Sequence, residues 1–114
     1  MEIEREIVLP ATREEAWSAL TEPEELEEWF ANDVELDAVP GGDAVFRWEN
    51  GEERRAVVES IEEQERLVLH FDDDGVVELA LEDVLGGTLV RVRETTPSFG
   101  AALELQACVA WATA

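Results

Sequence analysis

The sequence predicts an α+β fold in which a curved antiparallel β-sheet of about seven strands wraps around a C-terminal helix. Short apolar or alternating segments follow one another with tight turns between them, and consecutive strands joined by tight turns must pair antiparallel. One longer amphipathic segment ends the chain, and it is the element available to cover the apolar face of the sheet. At 114 residues the chain fits a single domain, residues 1–114.

The chain opens with a predicted strand over Ile3–Leu9, which Pro10 ends. The stretch Thr12–Ala31 then predicts two short helices in tandem, and helices this short need a surface to lie on. Each helix has one apolar face. These faces consist of Ala16, Trp17 and Leu20 on the first helix, and of Leu26, Trp29 and Phe30 on the second.

Both helices carry a start signal. Thr12 stands three residues before Glu15, and Thr21 stands three residues before Glu24. This spacing predicts a capping box at each start, in which hydroxyl and carboxylate each accept from a backbone N–H. Pro23 falls in the first turn of the second helix, where its missing N–H costs little.

Six further strands are predicted, separated by turns rich in glycine, aspartate and proline. Asn50-Gly51 is the strongest hairpin signal in the chain, and Gly86-Gly87 closes another hairpin. The six strands are Val34–Leu36, Ala44–Glu49, Arg54–Glu62, Arg66–Phe71, Val76–Val84 and Thr88–Thr95. Alternation places Ser60 with Ala56 and Val58, opposite Ile61, although apolar residues on both faces leave this strand open to a one-residue slip. Pro97 ends the last strand, and Ser98 is the predicted N-cap of a final helix over Phe99–Thr113.

The charge is strongly acidic: 29 acidic residues against eight basic ones, all arginine, give a net charge of −21. Such a surface repels phosphate backbones and anionic lipid heads, so neither nucleic acid nor membrane is a predicted partner. Two interpretations of this composition stay open: adaptation to high salt, and the use of arginine in place of lysine that a GC-rich bacterial genome favours. We favour the second, because the acid is mostly glutamate, and a melting temperature that does not rise with salt would exclude the first.

The compartment predicted is the cytoplasm. One cysteine, Cys108, permits no intrachain disulfide. No apolar run approaches the ~18 residues of a membrane span, and the N-terminus lacks the basic region of a signal peptide.

Nothing in the sequence argues for an enzyme, a metal site or a cofactor. Nucleophilic catalysis needs a base beside the nucleophile. The one histidine, His70, is predicted on the solvent face of its strand, opposite Leu67, Leu69 and Phe71. Cys108 is predicted to be a small core residue.

The stronger candidate is an apolar cavity between the sheet and the last helix that binds a small hydrophobic or amphipathic molecule. The alternative is that the same side chains simply fill the core. Arg47 and Arg91 could pair with a ligand carboxylate, but the excess of acid favours pairing with nearby glutamates. The predicted cavity residues are Trp29, Phe30, Phe46, Trp48, Phe71, Leu79, Leu81, Phe99, Leu103 and Trp111.

Several motifs together resemble the START-like, or SRPBCC, superfamily, and within it the family of the C-terminal domain of the activator of heat-shock protein 90 ATPase. The motifs are the run PATREEAWSALTEPEELEEWF at Pro10–Phe30, the Pro-Gly-Gly at 40–42, the aromatic strand Phe46–Trp48 and the pair Arg66-Leu67. The resemblance implies a helix-grip fold. Relatives carry more sequence before the last helix than the short Thr95–Ser98 connection found here.

Three functions are compatible with this resemblance. The first is non-catalytic binding of a hydrophobic ligand; the second is a co-chaperone-like module that docks on a heat-shock protein 90 homologue. The third is an enzyme of polyketide-cyclase type. The direction of the aromatic side chains discriminates the first two, since inward rings favour a ligand and an outward patch favours a protein partner.

Replacing Trp48 tests the cavity prediction. Trp48→Ala is expected to weaken ligand binding more than it lowers the free energy of unfolding, because a cavity residue contacts the ligand directly. Titration and thermal melts measure the two quantities. Equal losses of binding and stability would argue for plain core packing.

Overall fold

The computed structural model describes residues 2–72 and 74–95, which form seven strands and two helices. The helices are α1 (Arg13–Thr21) and α2 (Pro23–Trp29), and both lie between the first and second strands. The strands are β1 (Glu2–Leu9), β2 (Asp33–Leu36), β3 (Asp43–Arg47), β4 (Glu53–Glu62), β5 (Arg66–Phe71), β6 (Val76–Val84) and β7 (Gly87–Thr95). The predicted final helix, Phe99–Thr113, falls outside the described residues.

The strands form one antiparallel sheet in the order β1-β7-β6-β5-β4-β3-β2. Strands β2 to β7 follow one another as a meander, and β1 pairs with β7, from Glu2 opposite Thr95 to Leu9 opposite Thr88. The sheet curls into a half-barrel, which confirms the predicted α+β, helix-grip class. Strands β1 and β2 are therefore the two edges, and the helix pair connects one edge to the other.

The core lies on the concave face of the sheet. On β7 every second side chain from Thr88 through Val90 and Val92 is buried. The predicted inward faces of the helices are confirmed as well, with Ala16, Trp17 and Leu20 buried on α1 and Leu26 buried on α2. Buried apolar side chains from both helices and the strands form one continuous cluster.

The two predicted hairpins form at their glycines. Gly51 adopts a φ of +88°, and the N–H of Trp48 donates to the carbonyl of Glu52 across the turn at 2.9 Å. The turn therefore includes Trp48, and β3 ends at Arg47, two residues before its predicted end. Gly87 adopts a φ of +145°, and a Cβ there would lie 1.9 Å from the carbonyl oxygen of Leu9. Glycine at this position therefore lets β7 begin close against the end of β1.

The first capping box is confirmed and the second is wrong. The N–H of Glu15 donates to the Thr12 hydroxyl at 3.1 Å, and the N–H of Thr12 donates to the Glu15 carboxylate at 3.0 Å. Thr21 instead ends α1, where its buried hydroxyl donates to the carbonyl of Trp17 at 2.7 Å. Since α1 runs into α2 with Glu22 alone between them, Thr21 bonds back to the preceding turn rather than forward.

A β-bulge corrects the predicted faces of β4. Val58 pairs with Leu69 and Ser60 pairs with Val68, so Glu59 is an extra residue in this strand. Beyond the bulge the alternation is reversed, and Ile61, rather than Ser60, packs against the core. The apolar alternation that precedes the bulge could not reveal this shift.

The capping box makes a testable contribution to stability. We expect Thr12→Ala to lower the free energy of unfolding by about 1 kcal/mol, because one N–H at the start of α1 loses its acceptor. Thr12→Ser, which keeps the hydroxyl, should lower the free energy of unfolding much less. Urea unfolding of the three proteins measures the difference, and an equal loss in both variants would contradict the assignment.

The same box predicts a dependence on pH. Hydrogen bonds from the Thr12 backbone and side chain lower the pKa of Glu15 in the folded protein. The stability that this carboxylate contributes is therefore present above its unfolded pKa and is lost as the pH falls through its folded pKa. The stability gap between the natural protein and Thr12→Ala should narrow in acid.

Candidate functional site

An aromatic cluster joins α2 to the sheet. The ring of Phe30 lies 5.4 Å from that of Trp29, 5.6 Å from that of Phe46 and 5.5 Å from that of Trp48, between ring centroids. The contacts with Phe46 and Trp48 are edge-on, at interplanar angles of 80° and 79°. Phe71 extends the cluster, with its ring 6.3 Å from that of Phe46. Five of the predicted cavity residues are thus neighbours.

Both indoles of this cluster donate to backbone carbonyls. Nε1 of Trp29 donates to the oxygen of Ala19, and Nε1 of Trp48 donates to the oxygen of Phe30, each at 3.0 Å. Each donor is thus satisfied while the ring stays in apolar surroundings. Truncating Trp48 would remove this bond as well as ring contacts, so its loss affects the attachment of α2.

A small apolar pocket lies between the helix pair and the concave face. Its volume is about 40 Å³, enough for on the order of three water molecules. Four of the predicted residues line it, namely Trp29, Phe30, Phe46 and Leu79. The other lining residues, absent from the predicted set, are Leu20, Leu26, Leu36, Leu67, Leu69, Val77 and Val92.

The remaining predicted residues lie elsewhere in the fold or outside the described residues. Trp48 is half-buried, with its ring edge-on to that of Phe30, and Phe71 is buried beside Phe46. Leu81 is buried in the core cluster without lining the apolar pocket. Phe99, Leu103 and Trp111 fall outside the described residues. Alternation in β5 had already indicated that Leu67 and Leu69 share a face with Phe71, so the sequence held a signal for two of the missed residues.

A larger open groove adjoins the apolar pocket. Its volume is about 450 Å³, and Leu36 lines both spaces. The carboxylate side chains of Glu22 and Glu63 belong to its lining, and both residues are exposed. The full lining of the open groove is Trp17, Thr21, Glu22, Pro23, Leu36, Ala38, Ile61 and Glu63.

Glu94 is a buried acid that the sequence analysis missed. It is only 1% exposed and lies on β7, two residues after Val92 and opposite Val77, which both line the apolar pocket. Glutamate is almost never fully buried unless it is paired, because burying a charged carboxylate costs several kcal/mol. The alternation that placed Val90 and Val92 inward, continued by two residues, would have found it.

The arginines considered as ligand partners point away from the apolar pocket. Arg47 bonds to Asp33 and Glu35 at 2.7 Å and to Glu53 at 2.8 Å, as the excess of acid led us to expect. These bonds raise the pKa of Arg47, with that to Glu35 contributing most.

Arg91 lies on the same convex side of the sheet. Its nearest carboxylate is that of Glu6, at 2.7 Å, and the hydrogen bond to Glu6 raises the pKa of Arg91. Neither this side chain nor that of Arg47 lines the apolar pocket.

His70 is exposed, with its ring nitrogens 3.9 Å from a Glu59 oxygen and 3.7 Å from an Asp74 oxygen. Within residues 2–72 and 74–95, no three His, Cys, Asp or Glu side chains are grouped to hold a metal. Neither of the described helices is long and apolar enough to cross a membrane. Cys108 falls outside the described residues.

Comparison with known proteins identifies relatives of the chain. The model of a family described as "Activator of Hsp90 ATPase homolog 1-like protein" matches residues 10–110. No curated protein is similar enough in sequence to match. The solution structure of the Aha1 dimer from Colwellia psychrerythraea is similar, with a TM-score of 0.79 and 22% identity over 99% of this chain and 92% of that one.

Two further solved structures share the fold. An AHSA1-like protein from Aeromonas hydrophila gives a TM-score of 0.77 at 21% identity, over 95% of this chain and 83% of that one. DynU16, from the dynemicin biosynthetic locus, gives a TM-score of 0.77 at 19% identity, over 96% of this chain and 42% of that one. Identities this low establish the common fold alone.

Proposed function

We propose that this chain, which belongs to the activator of Hsp90 ATPase homolog 1-like family, binds a small apolar or amphipathic molecule on the concave face of its sheet. The inward direction of the aromatic rings supports this proposal. All six aromatic side chains of the described residues are buried or half-buried. Among the same described residues, the exposed large apolar side chains are aliphatic and scattered: Val8, Val39, Val57 and Leu85. An aromatic docking patch for a protein partner would instead be exposed.

The apolar pocket supplies the anchor for such a ligand. Burial of apolar surface contributes roughly 25 cal/mol per Å², and the pocket wall is made of leucine, valine and aromatic side chains. A drug-sized ligand needs about 300 Å³ or more, whereas the pocket holds about 40 Å³. A ligand would therefore insert one apolar end into the pocket and leave its other end in the adjoining open groove.

A co-chaperone role is the second candidate. Family membership and the net charge of −21 favour it, since an acidic surface can dock on a basic face of a partner in a salt-sensitive way. Recovery of a heat-shock protein 90 homologue at low salt would support this role. A polyketide-cyclase-like activity is the third candidate, and it would appear as conversion of a bound compound.

A thermal-shift screen with a pocket-filling variant tests the proposal. The panel contains fatty acids, alcohols and amines, flavonoids, polyketides and sterol-like compounds. A ligand at about one hundred times its dissociation constant adds about 2.7 kcal/mol, which raises the midpoint by roughly 10 °C in a domain of this size. We expect Leu79→Phe to abolish the shift, because the added ring occupies the apolar pocket.

Leu89→Phe is the matched control. Leu89 lies on β7 next to buried Val90 and outside the pocket lining, so the same substitution there should leave the shift intact. A ligand that shifts Leu79→Phe as much as the natural protein would contradict binding in the apolar pocket. No shift with any compound would favour a filled core and direct the search to a protein partner.

A further inference from the structure

We propose that the ligand is a cationic amphiphile, with the end of its apolar tail in the apolar pocket and its positively charged head in the open groove near Glu22 and Glu63. This inference rests on the proposed function and names the class of molecule that the same site selects. It follows from the geometry of the two spaces and from the distribution of charge around them.

The two spaces form one amphipathic site. Leu36 belongs to both linings and separates them, and Ile61 of the open groove pairs in register with Leu67 of the apolar pocket. The apolar pocket has only hydrophobic lining residues, while the open groove adds Glu22, Glu63 and Thr21 to an apolar floor. A molecule that spans both spaces meets hydrocarbon at one end and carboxylates at the other.

No arginine or histidine lines either space within the described residues. Residues 96–114 contain no lysine, arginine or histidine either, so they bring no cationic side chain to the site. An anionic head group, such as that of a fatty acid, would therefore meet acids without a compensating base. A cationic head would meet charges of opposite sign.

The two arginines that share strand faces with core residues are remote from the open groove. Arg54 lies seven residues before Ile61 on β4, a separation of about 23 Å along a strand. Arg5 lies on β1, four strands from β4 in the sheet order, which is about 19 Å. Neither reaches a head group held near Glu63.

The acids near the open groove reinforce one another. Burial, and second the negative charge of Glu22, raise the pKa of Glu25, so Glu22 contributes negative potential at the start of α2. The negative charge of the site therefore lies at the groove end, on Glu22 and Glu63, which favours a protonated amine there.

Three eight-carbon compounds of equal tail length test the inference. Octylamine, octanol and octanoate are titrated at pH 7 and low salt, with binding followed by calorimetry. We expect octylamine to bind about tenfold more tightly than octanoate, with octanol between them, because exposed carboxylates act through modest Coulomb terms. The preference should shrink as salt is raised.

Two double variants separate a local effect from the overall charge. Glu22→Gln with Glu63→Gln should reduce the preference for octylamine to about threefold or less. Glu28→Gln with Glu49→Gln removes the same net charge at exposed residues outside both linings, and it should keep the preference. Glutamine preserves size, and the Glu22 side chain makes no capping bond that would be lost.

The outcomes are distinguishable. Binding of octanol with no preference between amine and acid would overturn cation selection and leave the proposed function standing. An equal loss of preference in both double variants would overturn the groove assignment in favour of attraction by the whole surface. Failure of all three compounds to bind, octanol included, would overturn the proposed function and this inference together.

Discussion

The attachment of the helix pair to the sheet depends on Phe30. Its ring lies at the centre of three aromatic contacts, and its carbonyl accepts the indole N–H of Trp48. Phe30 is also the C-cap of α2, where the chain leaves the helices for the edge strand β2. Phe30 therefore contacts α2, β3 and the residue that follows β3, and so links the helix pair to the sheet. The apolar pocket is the space that remains between them.

Charge and hydrocarbon are segregated on the two sides of the sheet. On the convex side Arg93 pairs with Glu4, Glu2 and Glu78, and Glu78 also pairs with Arg66. A single exposed pair contributes about 0–1 kcal/mol, but the forked guanidinium lets one arginine hold several carboxylates at once. Because five of the eight arginines lie on this side, the excess of acid remains uncompensated around the open groove.

Local patterns predicted the elements and most of the inward faces. Alternation in β5 and β7 was sufficient, because successive side chains on a regular strand point to opposite sides. Asn50-Gly51 and Gly86-Gly87 marked the two hairpins, since positive φ is accessible to glycine at little cost. The sequence predicted four residues that line the apolar pocket, namely Trp29, Phe30, Phe46 and Leu79. The leucines contributed by α1, α2 and β2 were missed, because their meeting depends on how the helices pack.

The sequence by itself determined the order of elements, the antiparallel meander and the acidic surface, because these follow from turns, periodicity and composition. Tertiary structure alone decided three features. Thr21 is the last residue of α1, where its hydroxyl donates to the carbonyl of Trp17, and it does not start α2. Ile61 faces the core because the bulge at Glu59 shifts the register. Leu36 lies between the apolar pocket and the open groove because β2 pairs with β3 at the sheet edge beside α2. The last two depend on pairing between strands, and the first depends on the direct junction of α1 with α2, where Thr21 is buried.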